Sequence, residues 1–203
     1  MTLDIRQVGE PVLRQRARPL SVEEIRSSSI QLLIEQMRDT MRRAPGVGLA
    51  APQIGQSLQL AVIEDREEYL EGIAPVILQE RERMAVPFHV IVNPRLTITE
   101  EGPALFFEGC LSLDHFAALV PRAIAVRVDC LNEHGEPKVI QARGWHARIL
   151  QHEIDHLNGM LYIDRMLSRS FMTIDNLTHH WADKSRRHLQ IGLDLPELGS
   201  PRT

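Results

Sequence analysis

The sequence predicts an α+β fold in which short antiparallel or mixed sheets pack around a central helix carrying a His-Glu-X-X-His motif. Strand-forming runs cluster between residues 58 and 143, two strongly signalled helices flank them, and no strand-helix-strand rhythm repeats, which argues against a doubly wound parallel sheet. Composition agrees. With 203 residues, 43% hydrophobic and 25% charged, the chain has the make-up of an ordinary globular protein, and disordered or collagen-like classes drop out. A chain of this length buries roughly 70% of the surface its unfolded form exposes, enough for one domain over residues 1–203.

The elements follow in order. Arg6, Arg14, Arg16 and Arg18 have the charge of a transit peptide, but Asp4 and Glu10 interrupt them and Pro11 and Pro19 break an amphipathic helix, so residues 1–20 read as part of the fold. With no leader expected, the predicted location is the cytoplasm. Ser21 and Glu24 form a capping-box signature, after which Ile30, Leu33, Met37 and Met41 recur at helical spacing until Pro45 and Gly46, giving a helix from about Val22 to Arg43. A Gly/Ala/Pro segment occupies 46–55, and the short apolar run 58–64 reads as a strand. Residues 65–87 hold Glu67, Glu68, Glu71, Glu80, Arg81, Glu82 and Arg83 around two prolines, the composition of a partly helical surface insertion.

Short strands are expected at 90–93, 95–99 and 104–107, separated by Pro94 and Gly102. Ile124, Val126, Val128 and Cys130 alternate along a further strand, which turns at 132–135 and returns over 138–142 as a hairpin. A second helix spans 145–158, with Gly159 placed to cap it, and about 167–203 forms a C-terminal extension.

Charge and cysteine content narrow the function. A net charge of -4 gives no sign of a sequence-specific nucleic-acid binder, and no window of 18 apolar residues offers a membrane span. Two cysteines, Cys110 and Cys130, make no disulfide framework and point to a reducing compartment. Cys130 alternates with apolar strand positions and reads as core, while His115 and His134 fall in expected loops and receive no site.

Chemistry concentrates in three segments. In QHEIDH, His152 and His156 stand four residues apart and leave the same helix face, so they can share one ion. Glu153 is rotated about 100° from His152, beside the ion and badly placed to ligate it, which is the position of a general base. A surface helix with two solvated histidines is the plainer alternative. Cys110, in EGCLSL, is the best third ligand; two histidines, one thiolate and an open position make a catalytic rather than a structural metal site. In GVGLAAPQIG, glycines allow close backbone approach to a ligand and Gln53 offers an amide to a developing oxyanion, although a tight turn packing against a helix would look the same.

In this order and spacing, GVGLAAPQ (46–53), EGCLS (108–112) and QHEIDHLNG (151–159) resemble the three motifs of peptide deformylase. The likeness runs from VGEPVLRQRARPL to LYIDRM and is greater to the branch with mitochondrial and plant-organelle enzymes; Asp114 stands where many bacterial members have proline. The resemblance implies a metal-dependent hydrolase that removes the N-formyl group from the initiator methionine of nascent polypeptides, releasing formate. It implies Cys110, His152 and His156 as ligands of one divalent ion, ferrous iron in the native enzyme, with zinc, nickel or cobalt able to replace it. Glu153 becomes the proton shuttle, Gln53 and the Leu111 N–H the oxyanion donors, and Gly48 a backbone contact for water or substrate. Val47, Phe106, Trp145 and Ile149 would neighbour the methionine pocket, with Arg148 close by, and Glu108 would pair with Arg122 to brace the cysteine loop. His179, His180, Lys184, Arg186, Arg187 and His188 make the C-terminal segment basic; a solvated face is the simple reading, and a weak ribosome contact is what the resemblance adds. Two other functions fit the motif: a zinc endopeptidase, which normally takes its third ligand downstream as His or Glu, and an inactive relative that only binds nascent peptide ends, against which Glu153 and Gln53 count.

Overall fold

A computed structural model of the chain describes residues 3–181, 189 and 191–195. Its helices are α1 (Val22–Arg26), α2 (Ser28–Arg43), α3 (Pro75–Glu80), α4 (Gly144–Leu157) and the short α5 (Ile174–Asn176). Its strands are β1 (Gly48–Ala50), β2 (Leu60–Asp65), β3 (Val86–Cys110), β4 (Leu113–Leu131), β5 (Pro137–Arg143) and β6 (Met172–Thr173). All six join in one antiparallel sheet of order β1-β2-β3-β4-β5, with β6 added to β4. The expected short antiparallel or mixed sheets are therefore corrected to one antiparallel sheet built on two long strands.

Pro94 and Gly102 do not end strands. They mark bulges, because the pairing of β3 with β4 shifts between Val92 and Arg95 and again between Glu100 and Pro103, while the strands continue past. Such insertions bend a strand and increase its twist without breaking it. The first helix also differs from its expected span: it divides at Ser27, whose hydroxyl accepts the Ile30 N–H and caps α2. A serine run at 27–29 supplies a second N-cap within the helical pattern, and the capping box at Ser21 forms as expected.

The alternation of β2 and β3 decides the layers. Ala61, Ile63 and Ile91 face α4, where they pack with Ala147, Ile149, Leu150, Ile154 and Leu157. Leu60, Val62, Val90 and Val92 face the other way, against Ile34, Met37 and Met41 of α2. Helix α4 packs on β1 to β5 and is buried along most of its length. It starts on Gly144 at φ +58° and ends at Gly159 at φ +74°, where a Cβ would lie 2.8 Å from the Arg14 carbonyl oxygen. Only glycine satisfies both the backbone conformation and the close approach at residue 159.

Between β2 and β3 the chain leaves the sheet in an excursion that contains α3, tied down at its base. Arg83 donates two hydrogen bonds, 2.8 and 2.9 Å long, to Asp65, whose side chain is fully buried. Among the described residues no helix is long and apolar enough to cross a membrane. Of the basic C-terminal residues, Lys184, Arg186, Arg187 and His188 lie outside the described residues.

Replacing one partner of a buried pair leaves the other charge without compensation. Arg83→Leu is expected to destabilise the fold by about 3–5 kcal/mol, whereas breaking the exposed Arg18–Glu24 pair with Arg18→Ala changes stability by less than about 1 kcal/mol. Urea unfolding of the two variants checks the contrast.

Candidate active site

Three elements converge on one point. The end of β3 delivers Glu108 and Cys110, the β3–β4 turn delivers Leu111 and Ser112, and α4 delivers His152, Glu153 and His156. The histidine Nε2 atoms are 3.2 Å apart, and the Cys110 Sγ is 3.3 Å from that of His156. All three donor atoms lie within 4.8 Å of one another. For an ion with bonds of about 2.0–2.3 Å in tetrahedral geometry, neighbouring donors are separated by about 3.3–3.5 Å, so the cluster is sized for one ion with a position left open. It is a candidate metal site, as the sequence reading expects.

Its support is a buried network of charge. Glu108 lies 3.0 Å from His152 Nδ1, which leaves Nε2 turned to the cluster. Arg122 donates to both Glu108 oxygens at 2.9 Å, and Arg148 donates to one of them at 2.5 Å. Arg122 also reaches Asp155, which in turn accepts two hydrogen bonds from Arg165. Burial works against the charge of Glu108, but the hydrogen bonds from His152 and Arg122 outweigh it and hold the carboxyl below its ordinary range. Burial also opposes charge on His152, yet its contacts with Cys110 and Glu108 raise its pKa. His156 is held well below its usual pKa by burial and by His152, the neutral state that a metal ligand needs. Burial draws the Arg148 guanidinium down to about 10.

Glu153 is oriented toward the same cavity from the next position of the helix. Its Oε2 is buried without a partner, and burial pushes its carboxyl up to about 7. Gly48 makes room for it: a Cβ on residue 48 would fall 2.2 Å from Glu153 Oε1. Gln53 sits in the 3-10 turn after β1, with its Oε1 fixed by the Ala50 N–H at 2.8 Å. That contact aims the Gln53 amide nitrogen at Cys110 Sγ (3.5 Å) and Ser112 Oγ (3.3 Å).

Above these groups opens a cavity of about 400 Å³, lined by Val47, Gly48, Gln53, Leu111, Trp145, Ile149, His152 and Glu153 among others. Phe106 is the exception among the expected pocket residues. It alternates with Glu108 along β3, but its ring is covered by the guanidiniums of Arg81 and Arg148, at 5.6 and 5.2 Å, instead of lining the cavity. Arg148 does line it, yet its charge is engaged by Glu108 and by the carbonyls of Ala104 and Val120. The sequence reading also missed Asp155, Arg165 and Ser112, and it gave no site to His115, which lines the cavity. For Asp155 a signal existed, since it lies within the motif, on a helix with little exposed face.

A profile of the polypeptide deformylase family matches residues 2–171. The chain belongs to the peptide deformylase family. Enzymes of this family are metal-dependent hydrolases that remove the N-formyl group from nascent polypeptides. Chloroplast peptide deformylase 1A of Solanum lycopersicum is 47% identical over 97% of the chain, and the mitochondrial peptide deformylase of Homo sapiens is 41% identical over 83%. The chain spans about two thirds of each, 67% and 69% of their lengths. A crystal structure of class I type b peptide deformylase from Acinetobacter baumannii with Met-Ala-Ser bound matches with a TM-score of 0.72 and 32% identity, over 82% of this chain and 99% of that one. The plant and human relatives agree with the likeness to the organellar branch. They also overturn the expectation of a cytoplasmic enzyme, because they carry chloroplast and mitochondrial names and the charge pattern of residues 1–20 does not decide compartment.

Glu108→Gln removes the charge that orients His152. Loss of such a supporting partner typically lowers metal affinity about 10- to 100-fold, and that is the result expected when the variant competes with a chromogenic chelator for cobalt or zinc.

Proposed function

We propose that Cys110, His152 and His156 hold the ion and that Glu153, Gln53 and the Leu111 N–H carry the deformylation of methionyl peptides. The observation that carries this is the meeting of the three donors with an unpartnered buried carboxylate beside a cavity that Cys110, His152 and Glu153 line. A divalent ion in that position supplies Lewis acidity, polarising the formyl oxygen and bringing the pKa of a water from 15.7 to about 7.

The chain's own groups do the rest. Glu153 accepts a proton from the water as it adds to the formyl carbon. The charge that develops on the former carbonyl oxygen is met by Gln53 Nε2 and the Leu111 N–H, one such donor being worth about 3 kcal/mol. Glu153 then passes the proton to the peptide nitrogen, the C–N bond breaks, and formate and a free amine leave. Among the described residues strand β1 pairs only with β2 in the sheet order, so its outer edge beside Val47 and Gly48 can align an incoming peptide as an added strand. Val47, Trp145 and Ile149 would surround the methionine side chain, since all three line the cavity.

Residues 1–203 act in this proposal as one catalytic domain, with 65–87 as a surface insertion and about 167–203 as a C-terminal extension. A weak ribosome contact through the basic end belongs to the same proposal. Ferrous iron is the ion we assign to the native enzyme, as the motif resemblance implies; zinc, nickel or cobalt suit the same donor set.

Formate release from a formyl-methionyl peptide is the direct test, and chelator treatment should abolish it. Glu153→Ala should reduce turnover by at least about 100-fold while metal content of the purified variant stays at one ion per chain; loss of metal with activity would make Glu153 a ligand. An acetyl group adds a methyl at the crowded, less electrophilic carbon, and displacement of about 1 Å costs roughly a hundredfold. The acetylated peptide should therefore react at least about 100-fold more slowly in kcat/KM, and cleavage of internal peptide bonds would favour an endopeptidase instead. Iron-loaded enzyme should lose activity faster in air than under anaerobic handling, and zinc-loaded enzyme should not show the difference, since zinc has no redox chemistry.

A further inference from the structure

The two oxyanion donors come from different segments, and a third segment fastens both. Residues 6–8 precede every helix and strand of the fold, yet they bind the turns that carry Gln53 and Leu111. The Arg6 N–H donates to the Gln53 carbonyl at 2.7 Å, and the Val8 N–H donates to the Ser112 carbonyl at 2.8 Å. Between them, Gln7 Nε2 donates to the Leu111 carbonyl at 2.9 Å, while Gln7 Oε1 accepts the Asp114 N–H at 3.4 Å. The contact with Asp114 orients the amide so that its NH2 group meets Leu111.

Leu111 and Ser112 are the two residues between Cys110 and Leu113, which pair across the end of the β3–β4 hairpin. The peptide joining them is the middle of the turn, the unit that rotates when one turn type converts into another. Here it is held on both sides: Gln7 binds its carbonyl, and its N–H points to Cys110 Sγ at 3.4 Å. Rotation of this peptide would turn the backbone of Leu111 and with it the N–H assigned to the developing charge. Gln53 has its own restraints, Arg6 on its backbone carbonyl and the Ala50 N–H on its side chain. Gln7 itself is exposed, so it supplies a tether and little buried surface.

We infer that Gln7 is a positioning residue for the reaction: by holding the Leu111 carbonyl it keeps the Leu111 N–H aimed at the same oxygen as Gln53 Nε2. This rests on the deformylase reading of the site. Donors of this kind act because they need no rearrangement as charge develops, and a displacement of about 1 Å can cost roughly a hundredfold in rate. A tether on one carbonyl governs a fraction of that displacement.

Two substitutions test it. Gln7→Met keeps the reach of the side chain and removes donor and acceptor, and Gln7→Glu keeps the acceptor and removes the donor. Each is expected to lower kcat on a formyl-methionyl peptide about tenfold and to change KM less than about twofold, the pattern of an interaction realised in the transition state. Cobalt affinity should fall by less than the roughly tenfold that marks a lost support of a metal ligand. Rates are taken per metal-loaded chain, so partial misfolding of a variant does not imitate the effect. The decisive readout is Gln7→Met in a Gln53→Leu background. Groups that act as one unit are not additive, so there the substitution should cost about threefold or less, whereas a merely structural role costs the same factor in both backgrounds. An unchanged kcat in either single variant, an equal factor in the two backgrounds, or a tenfold loss of cobalt affinity would overturn the assignment. Failure of the deformylase reading looks different: the unsubstituted protein releases no formate.

Discussion

Everything at this site depends on Glu108 being ionised where water does not reach. A carboxylate buried on β3 needs compensation, and the chain supplies it from three directions: Arg122 on β4, and Arg148 and His152 on α4. Desolvating so many charges gives little net stability, since a buried ion pair seldom outweighs an apolar replacement. What it gives is fixed geometry. The same carboxylate that neutralises two guanidiniums holds the ring of His152, so sheet, helix and ligand are positioned by one group. Asp155 repeats the arrangement on the other side of Arg122 and extends it to Arg165, past the end of α4.

The second constraint is steric. The helix carrying His152, Glu153 and His156 comes close to the backbone of Gly48, and the sequence allows this by omitting side chains. Gly48 leaves space for the Glu153 carboxylate, and Gly46 approaches Leu111 so closely that an added Cβ would lie 2.8 Å from its Cδ1. Strand β1 begins at the second of these glycines. The small residues of the 46–55 segment are thus explained by what packs on them, and a turn alone would not require both.

Much of this is legible in one dimension because the information is local. Helical phase places His152, Glu153 and His156 relative to one another before any tertiary contact is known, and Ser21 with Glu24 announces the start of α1. What the sequence hides is long-range. Pro94 and Gly102 read as strand breaks because a bulge and a break carry the same residues, and only pairing with β4 distinguishes them. Ser27 looks like a helix interior because the apolar spacing continues through it. Phe106 is on the expected face, but the Arg81 and Arg148 guanidiniums that cover it come from the excursion and from α4. His115 and Ile174 escape notice for the same reason: the cavity edge is assembled by β6 returning to β4 across more than fifty residues of chain.

The central claim is that one ion is held by Cys110, His152 and His156, oriented by Glu108. X-ray absorption spectroscopy of the metal-loaded protein tests it most directly. One sulfur and two imidazole nitrogen donors are predicted in the inner shell, with the sulfur scatterer disappearing in Cys110→Ser. A shell without sulfur in the unsubstituted protein, or one unchanged by that substitution, would contradict it.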